Sequence, residues 1–206
     1  MVKTGIFIVF EGIDGSGKSI HIKTLSKELH DLGYRVFITK EPTNRQIGYF
    51  LHNYAGQEKK RFLPETEVFL FAADRFEHVK YDIEPALRVG SIVISDRYYH
   101  SSLAYQGAAG AKVEWIRKMN NFAPNPDLAI LLDILPDYSL YRTKRKRTLF
   151  EDTDYLRKVR AFYLDFAKDG ELVKINAEKS KREVQEEIFL IVKNHLIVHG
   201  LWKEKD

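Results

Sequence analysis

Phe10-Glu11-Gly12-Ile13-Asp14-Gly15-Ser16-Gly17-Lys18-Ser19 decides how the rest of the chain is read. A short apolar run, Gly5 to Phe10, leads into it. After it come Ile22, Leu25, Leu29 and Leu32 at helical spacing, closed by Gly33. Apolar run, glycine-rich turn and amphipathic stretch in that order describe a strand, a loop and a helix over Lys18–Leu32. Gly12 to Ser19 matches G-x-x-x-x-G-K-[ST] in full. Such glycines let backbone N–H groups turn inward around phosphate oxygens at a helix N-terminus. We therefore assign Gly12, Ile13, Asp14, Gly15, Ser16, Gly17, Lys18 and Ser19 to a bound nucleoside triphosphate. Lys18 reaches its β and γ phosphates, and the Ser19 hydroxyl ligates Mg²⁺. Asp14 is electrostatically out of place among phosphate-binding amides. It either holds a sugar hydroxyl or a metal-bound water, or is an exposed turn aspartate.

Working outward, apolar β-branched runs alternate with helical patterns. Tyr34–Thr39, Ser91–Ser95, Leu128–Leu132 and Leu172–Ile175 read as further strands, the third of these entered through the turn Pro124-Asn125-Pro126-Asp127. Pro64 opens a long helix reaching roughly to Leu87, a charged helical region precedes the last strand, and Lys181–Ile197 closes the chain. Five strands with helical crossovers predict an α/β domain, a parallel sheet with helices on both faces. Ligands are then expected at the carboxyl ends of the strands.

The 206 residues suit one domain over 1–206 with a single sizeable core. The absence of cysteine excludes disulfides and thiolate metal sites. The N-terminal apolar run is too short for a signal sequence and no stretch reaches membrane-spanning length, so a soluble, cytoplasmic protein is expected, with no membrane partner. A net charge of +4 suits small polyanionic substrates as well as nucleic acid. Basic residues are interleaved with acidic ones except at Arg142-Thr143-Lys144-Arg145-Lys146-Arg147. A nucleic-acid partner is therefore not expected.

A regulatory GTPase, an assembly ATPase and a small-molecule kinase all use such a phosphate loop. No Asn-Lys-x-Asp string for guanine occurs, and the chain is short for a two-lobe ATPase, which leaves the kinase in front. On one face of the long helix, Phe71, Asp74, Arg75 and His78 fall at i, i+3, i+4 and i+7. That face offers a ring for base stacking with a guanidinium beside it, or else a core phenylalanine and an ordinary ion pair. Asp96 ends a strand where a carboxylate can hold Mg²⁺ through water.

Together with Glu41-Pro42-Thr43, Phe71-Ala72-Ala73-Asp74-Arg75, Ser95-Asp96-Arg97-Tyr98 and Ser101-Ser102-Leu103-Ala104-Tyr105-Gln106-Gly107, the phosphate loop resembles the thymidylate kinase family of bacteria and archaea, from about Ile6 to Asn176. The resemblance implies the P-loop NTPase fold with a short mobile lid near 137–155, ATP and thymidine monophosphate (dTMP) as substrates, Mg²⁺ as cofactor and a homodimer built through the long helices. It implies that Phe71 stacks on thymine, that Arg75 reaches the base O4, and that Arg97 grips the acceptor phosphate. The same resemblance implies that Tyr105 sits beneath the deoxyribose and excludes a 2′-hydroxyl, that Ser102 and Gln106 help read the base edge, and that Asp14 and Glu41 join the dTMP site. The basic run is either a solvated face or the lid. As the lid it supplies Arg142, Arg145 or Arg147 to the transferring phosphoryl, since Gly15 and Ser16 leave the phosphate loop without an arginine.

Three positions depart from the family pattern: Ile20 where a threonine is usual, Lys40 where an arginine commonly precedes Glu-Pro, and Thr148-Leu149-Phe150-Glu151 after the lid. The rival readings are another nucleotide kinase, taking UMP, CMP or a deoxynucleoside, and a P-loop ATP sensor with no phosphate acceptor.

Overall fold

The six residues of β1 (Ile6–Glu11) are all buried. Burial on both faces is what a near-continuous apolar run means in a parallel sheet. Each buried apolar side chain of the strand contributes roughly 1.5–3 kcal/mol, which places β1 at the centre of the core. The computed structural model describes residues 5–55, 61–142 and 152–203, the side chains of 140–142 excepted.

Four more strands join β1: β2 (Val36–Lys40), β3 (Ile92–Asp96), β4 (Leu128–Asp133) and β5 (Val173–Asn176). Among the described residues they form one sheet in the order β2-β3-β1-β4-β5, every pair parallel. Each is shifted from its expected span by a residue or two at one or both ends. The polar residues Glu11, Lys40, Asp96, Asp133 and Asn176 all belong to strand ends, because ladder hydrogen bonds continue past the point where hydrophobicity stops. Register pairs both Phe10 and Lys40 with Asp96, so β1, β2 and β3 finish level. The central strand thus delivers the glycine loop beside the ends of its neighbours.

Helix α1 (Lys18–Asp31) runs back from the loop, and Gly33 beyond it takes φ +77°, as a helix stop requires. Between β2 and β3 lie α2 (Gln46–Ala55), α3 (Pro64–His78) and α4 (Glu84–Arg88). The single helix expected from Pro64 to about Leu87 is interrupted by one π turn, Val79–Ile83, in which Glu84 N–H bonds the carbonyl of Val79. The wide turn falls just before Pro85, whose ring and missing N–H cannot continue an ordinary ladder.

Then come α5 (Tyr99–Ala108), α6 (Val113–Met119), α7 (Pro136–Arg142), α8 (Thr153–Lys168) and α9 (Lys181–Val198). Helix α8 is the charged region before β5, capped by the Asp152 carboxylate on Tyr155 N–H. Helix α9 opens with a reciprocal capping box between Ser180 and Glu183. Helices α1 and α9 pack together, and α5 lies between α3 and α8. No helix among the described residues is long and apolar enough to cross a membrane.

Candidate active site

At the carboxyl ends of β1 and β3 a cleft of about 1140 Å³ opens, floored by Asp14 to His21. Gly12 takes φ +134°, and a Cβ there would lie 2.6 Å from the Leu132 carbonyl, so only glycine lets the chain leave β1 this way. Gly17, at φ +96°, turns it into α1. Lys18 is the first residue of that helix. Its Nζ is buried and donates to the carbonyls of Gly12 at 2.9 Å and Ile13 at 3.1 Å. Burial first, and the Arg97 cation second, lower its pKa. A cation stripped of water in this way gains most from a polyanion brought beside it.

Ser19 Oγ donates to Asp96 Oδ2 at 2.9 Å. A hydroxyl from the first turn of α1 and a carboxylate from the end of β3 thus meet, and both are hard oxygen donors suited to Mg²⁺. Among the described residues no three His, Cys, Asp or Glu side chains converge into a ready-made metal cage. A magnesium ion here would complete its shell with phosphate oxygens and water, which is its usual habit at phosphoryl-transfer sites.

Arg97 follows Asp96 directly and, at φ +75°, is the only non-glycine with positive φ among the described residues. Such backbone strain persists only where surrounding bonds enforce it. Its N–H donates to the Phe10 carbonyl at 2.9 Å, and Ser95 Oγ donates to its carbonyl at 2.7 Å. The guanidinium is aimed across the cleft and donates to Asp14 Oδ1 at 2.9 Å, Ser101 Oγ at 3.0 Å and Tyr105 OH at 3.3 Å. Burial first of all pushes the Tyr105 phenol up to about 12, so it stays protonated at neutral pH.

Glu11 positions this corner. It is completely buried and accepts from Tyr98 N–H, Ser101 N–H, Ser101 Oγ and Tyr163 OH at 2.7–3.2 Å. The start of α5, and with it the Ser101 partner of Arg97, is tied to the end of β1. No local spacing marks Glu11 for this role, since its four donor groups belong to three residues 87, 90 and 152 positions away.

The α3 face behaves differently from expectation. Phe71 lines the cleft, half-buried, but the other three residues latch the end of β2 and the segment after it. The Asp74 carboxylate accepts from Thr43 N–H and Oγ1 at 2.8 and 2.6 Å. His78 bridges Thr39 Oγ1 at 2.6 Å and Glu41 Oε1 at 3.0 Å. Arg75 donates Nε and Nη2 to Glu41 Oε2, Nη2 to Ser102 Oγ and Nη1 to Asn120 Oδ1. Four of its five N–H groups are thereby used, leaving one on Nη1. Glu41 and Arg75 are each other's partner at the cleft wall, in a buried pair that the separate motifs did not reveal.

Gln106 Nε2 donates one of its two N–H groups to Glu67 Oε2 at 3.0 Å, which fixes the amide so that its carbonyl oxygen is turned away from Glu67. Glu67 is also held by Tyr54 OH and by the Arg61 fork. Of the residues singled out from sequence, Asp14, Gly15, Ser16, Gly17, Lys18, Ser19, Glu41, Phe71, Arg75, Asp96, Arg97, Ser102, Tyr105 and Gln106 all line the cleft, while Gly12 and Ile13 support it from behind. Ile20 and Lys40, two of the three departures, line it as well. Arg145, Arg147 and the Arg142 side chain lie outside the described residues, as does 148–151.

One wall was not foreseen: Ala177 to Lys181 with Val184, at the end of β5 and the start of α9. The signal for it was present in the rule that ligands gather at strand carboxyl ends. Its residues carry no motif of their own.

Residues 10–188 match the family model described as thymidylate kinase. The chain is 45% identical over 201 residues to a protein of Pyrococcus horikoshii named "Probable thymidylate kinase", covering 94% of this chain and 98% of that one. Proteins of the same name from Pyrobaculum calidifontis and Archaeoglobus fulgidus are 42% identical over 189 residues and 40% over 194. These alignments cover 91% and 93% of this chain, and 95% and 96% of the relatives.

Proposed function

This chain belongs to the thymidylate kinase family, and on that premise we propose that it transfers the γ-phosphoryl group of ATP to dTMP, giving dTDP and ADP. The observation that carries the reading is the pairing of two cations in one cleft, Lys18 buried and Arg97 partly buried. Lys18 lies under the phosphate loop and Arg97 faces it, close enough to lower the lysine's pKa, with a ring-and-amide pocket on the far side of Arg97.

ATP lies along Gly12 to Ser19, and Lys18 exchanges its two carbonyl partners for β and γ oxygens. Arg97 exchanges Asp14 for the acceptor phosphate, whose planar oxygen pair suits a guanidinium fork. Phe71 stacks on thymine. The remaining Nη1 N–H of Arg75 donates to the base O4, and the free Gln106 carbonyl accepts from N3–H. Ser102 holds Arg75 in that attitude. Tyr105, kept as a neutral phenol by burial, packs beneath the deoxyribose where a 2′-hydroxyl would collide.

Ser19 and Asp96 would hold Mg²⁺, which when bound supplies charge to offset the β and γ oxygens. The attacking dTMP oxygen is already an anion, so no side chain has to remove a proton. Arg142, Arg145 or Arg147 closes over the transferring group and excludes water, which would otherwise consume ATP.

In the same reading the enzyme is a cytoplasmic homodimer. Phe69 and Phe76 stand seven residues apart on the outward side of α3, both about half exposed, each in edge contact with another ring, Trp115 and Phe122. An apolar ridge of that kind fits a helix of a second copy. Sedimentation of the full chain tests it: a monomer at micromolar concentration refutes the dimer.

ADP release measured with a panel of nucleoside and deoxynucleoside monophosphates tests the reaction. The highest kcat/KM is expected with dTMP. Equal use of UMP or CMP would give the site to a ribonucleotide kinase. ATP binding without ADP release on any acceptor would make it a sensor.

A further inference from the structure

His21 lies on α1 three residues beyond Lys18, lines the cleft and is almost fully buried. Its Nδ1 stands 2.9 Å from Gln185 Oε1 on α9, and Gln185 Nε2 donates to Glu28 Oε2 at 2.7 Å. An ionised carboxylate only accepts, so the Gln185 amide must turn its NH₂ toward Glu28 and its carbonyl toward His21. That carbonyl in turn demands a hydrogen on Nδ1. In the neutral ring Nε2 then carries a lone pair, and two bonds anchored on α1 and α9 hold the tautomer.

The Cδ2–Nε2 edge of the ring lies against the phosphate loop. A Cβ on Gly17 would be 3.4 Å from Cδ2 and 3.6 Å from Nε2. Among the described residues Nε2 has no hydrogen-bond partner. Unlike the ring nitrogens of His100, it is not sealed inside the protein, and the space it meets is the cleft.

The cleft has two ends. Phe71, Arg75 and Tyr105 form one, on the Arg97 side, and the proposed acceptor occupies it. His21 belongs to the other, continuous with Ala177–Lys181 and Val184. With the triphosphate on Gly12–Ser19, the donor's base is left to the His21 end. A fixed lone pair at that end suits an exocyclic amino group. Adenine carries one at C6, whereas guanine presents a second lone pair, on O6, at the same position.

We propose that His21, held as the Nδ1–H tautomer by Gln185 and Glu28, accepts a hydrogen bond from the 6-amino group of the phosphoryl donor and so selects adenine over guanine. The inference rests on the kinase reading above. His21 touches the donor base, and Gln185 is a positioning residue acting through it. Losing one neutral hydrogen bond costs about two- to tenfold, and opposing two acceptors costs more than losing the bond alone.

The test measures kcat/KM with dTMP as fixed acceptor and three donors: ATP, GTP, and purine riboside triphosphate, in which hydrogen replaces the 6-amino group. Wild type is expected to favour ATP over the analogue by about two- to tenfold and over GTP by a larger factor. His21→Leu should bring the ATP-to-analogue ratio to about one. Gln185→Leu, which frees the ring to change tautomer, should give an intermediate ratio with ATP still used. A wild-type ratio near one, or a wild-type ratio retained in His21→Leu, overturns the assignment. Should His21→Leu fail to fold, Gln185→Leu decides, because an unchanged ratio there removes the tautomer lock. Failure of every donor to yield dTDP in wild type overturns the kinase reading instead, so the two failures are distinguishable.

Discussion

The two halves of the cleft are built by opposite means. The proposed donor half is eight consecutive residues, Gly12 to Ser19, a glycine-rich stretch that would meet phosphate mostly through backbone N–H groups. The proposed acceptor half takes Glu41 from just after β2, Phe71 and Arg75 from α3, Arg97 from just after β3, and Ser102, Tyr105 and Gln106 from α5. Its side chains are oriented by pairs such as Arg75–Glu41 and Arg75–Asn120, 34 and 45 residues apart in sequence. A backbone site depends on the path of the chain and tolerates most side-chain changes around it. A side-chain site depends on a connected polar network, in which one deletion strands a partner in low dielectric. The donor half should therefore respond to substitution in single kinetic terms, and the acceptor half in several at once.

The largest effect is expected at the one donor-half side chain that meets charge developing in the transition state. Lys18→Ala should lower kcat by roughly 10²–10³, since its contribution grows as the phosphoryl group detaches. The melting temperature should move by no more than a few degrees, because the two freed carbonyls regain water. Steady-state kinetics beside a thermal melt settle it, and a kcat within a few-fold of wild type removes Lys18 from this role.

On the acceptor side, Tyr105→Ala should affect positioning and selection together. We expect kcat/KM for dTMP to fall about tenfold as packing around the acceptor is lost. The ratio of deoxy to ribo acceptors, measured with dTMP and ribothymidine monophosphate, should collapse toward one. A wild-type enzyme that already uses the ribonucleotide equally well would defeat the steric account.

Glu11→Gln asks whether the halves are separable at all, for Glu11 ends β1 immediately before the phosphate loop yet holds α5. An amide in place of the carboxylate sets an NH₂ against some of the four donors now bonded there. The mismatch should cost about 1–3 kcal/mol, or roughly 3–10 °C in melting temperature for a chain of this size. KM for dTMP should rise several-fold through Ser101 and Arg97, with KM for ATP nearly unchanged. If both KM values rise together, the contrast between the halves is wrong.

The smallest effect is expected at Ile20, an exposed apolar side chain on the cleft wall next to Ser19. Ile20→Thr should lower KM for ATP by a few-fold, up to about tenfold for a hydrogen bond to a charged oxygen. KM for dTMP should not change. An ATP KM that stays constant or rises would mean that neighbouring groups already satisfy that oxygen.

Much of this molecule was legible before any coordinates. The five parallel strands followed from apolar runs alternating with helical stretches, and α1 from its stripe and Gly33. The phosphate loop followed from glycine and lysine at fixed spacing. Resemblance to a known family added Phe71, Arg97, Tyr105 and Gln106, all of which line the cleft. Less visible were α2, α6 and the π turn before Pro85, where short or irregular segments carry too few periods to read.

The sequence by itself determined the donor loop, because its function resides in backbone conformation and glycine dictates that conformation locally. Only the tertiary structure decided how the remaining charges are spent. Arg75 reaches the cleft with one N–H unused because Glu41, Ser102 and Asn120 take the others. Glu11 is tolerated in the core because four donors converge on it, and His21 acquires a fixed lone pair from Gln185, 164 residues away. A buried polar group is stable only when its partners arrive with it. Those partners are set by how strands and helices pack, and no local spacing encodes that.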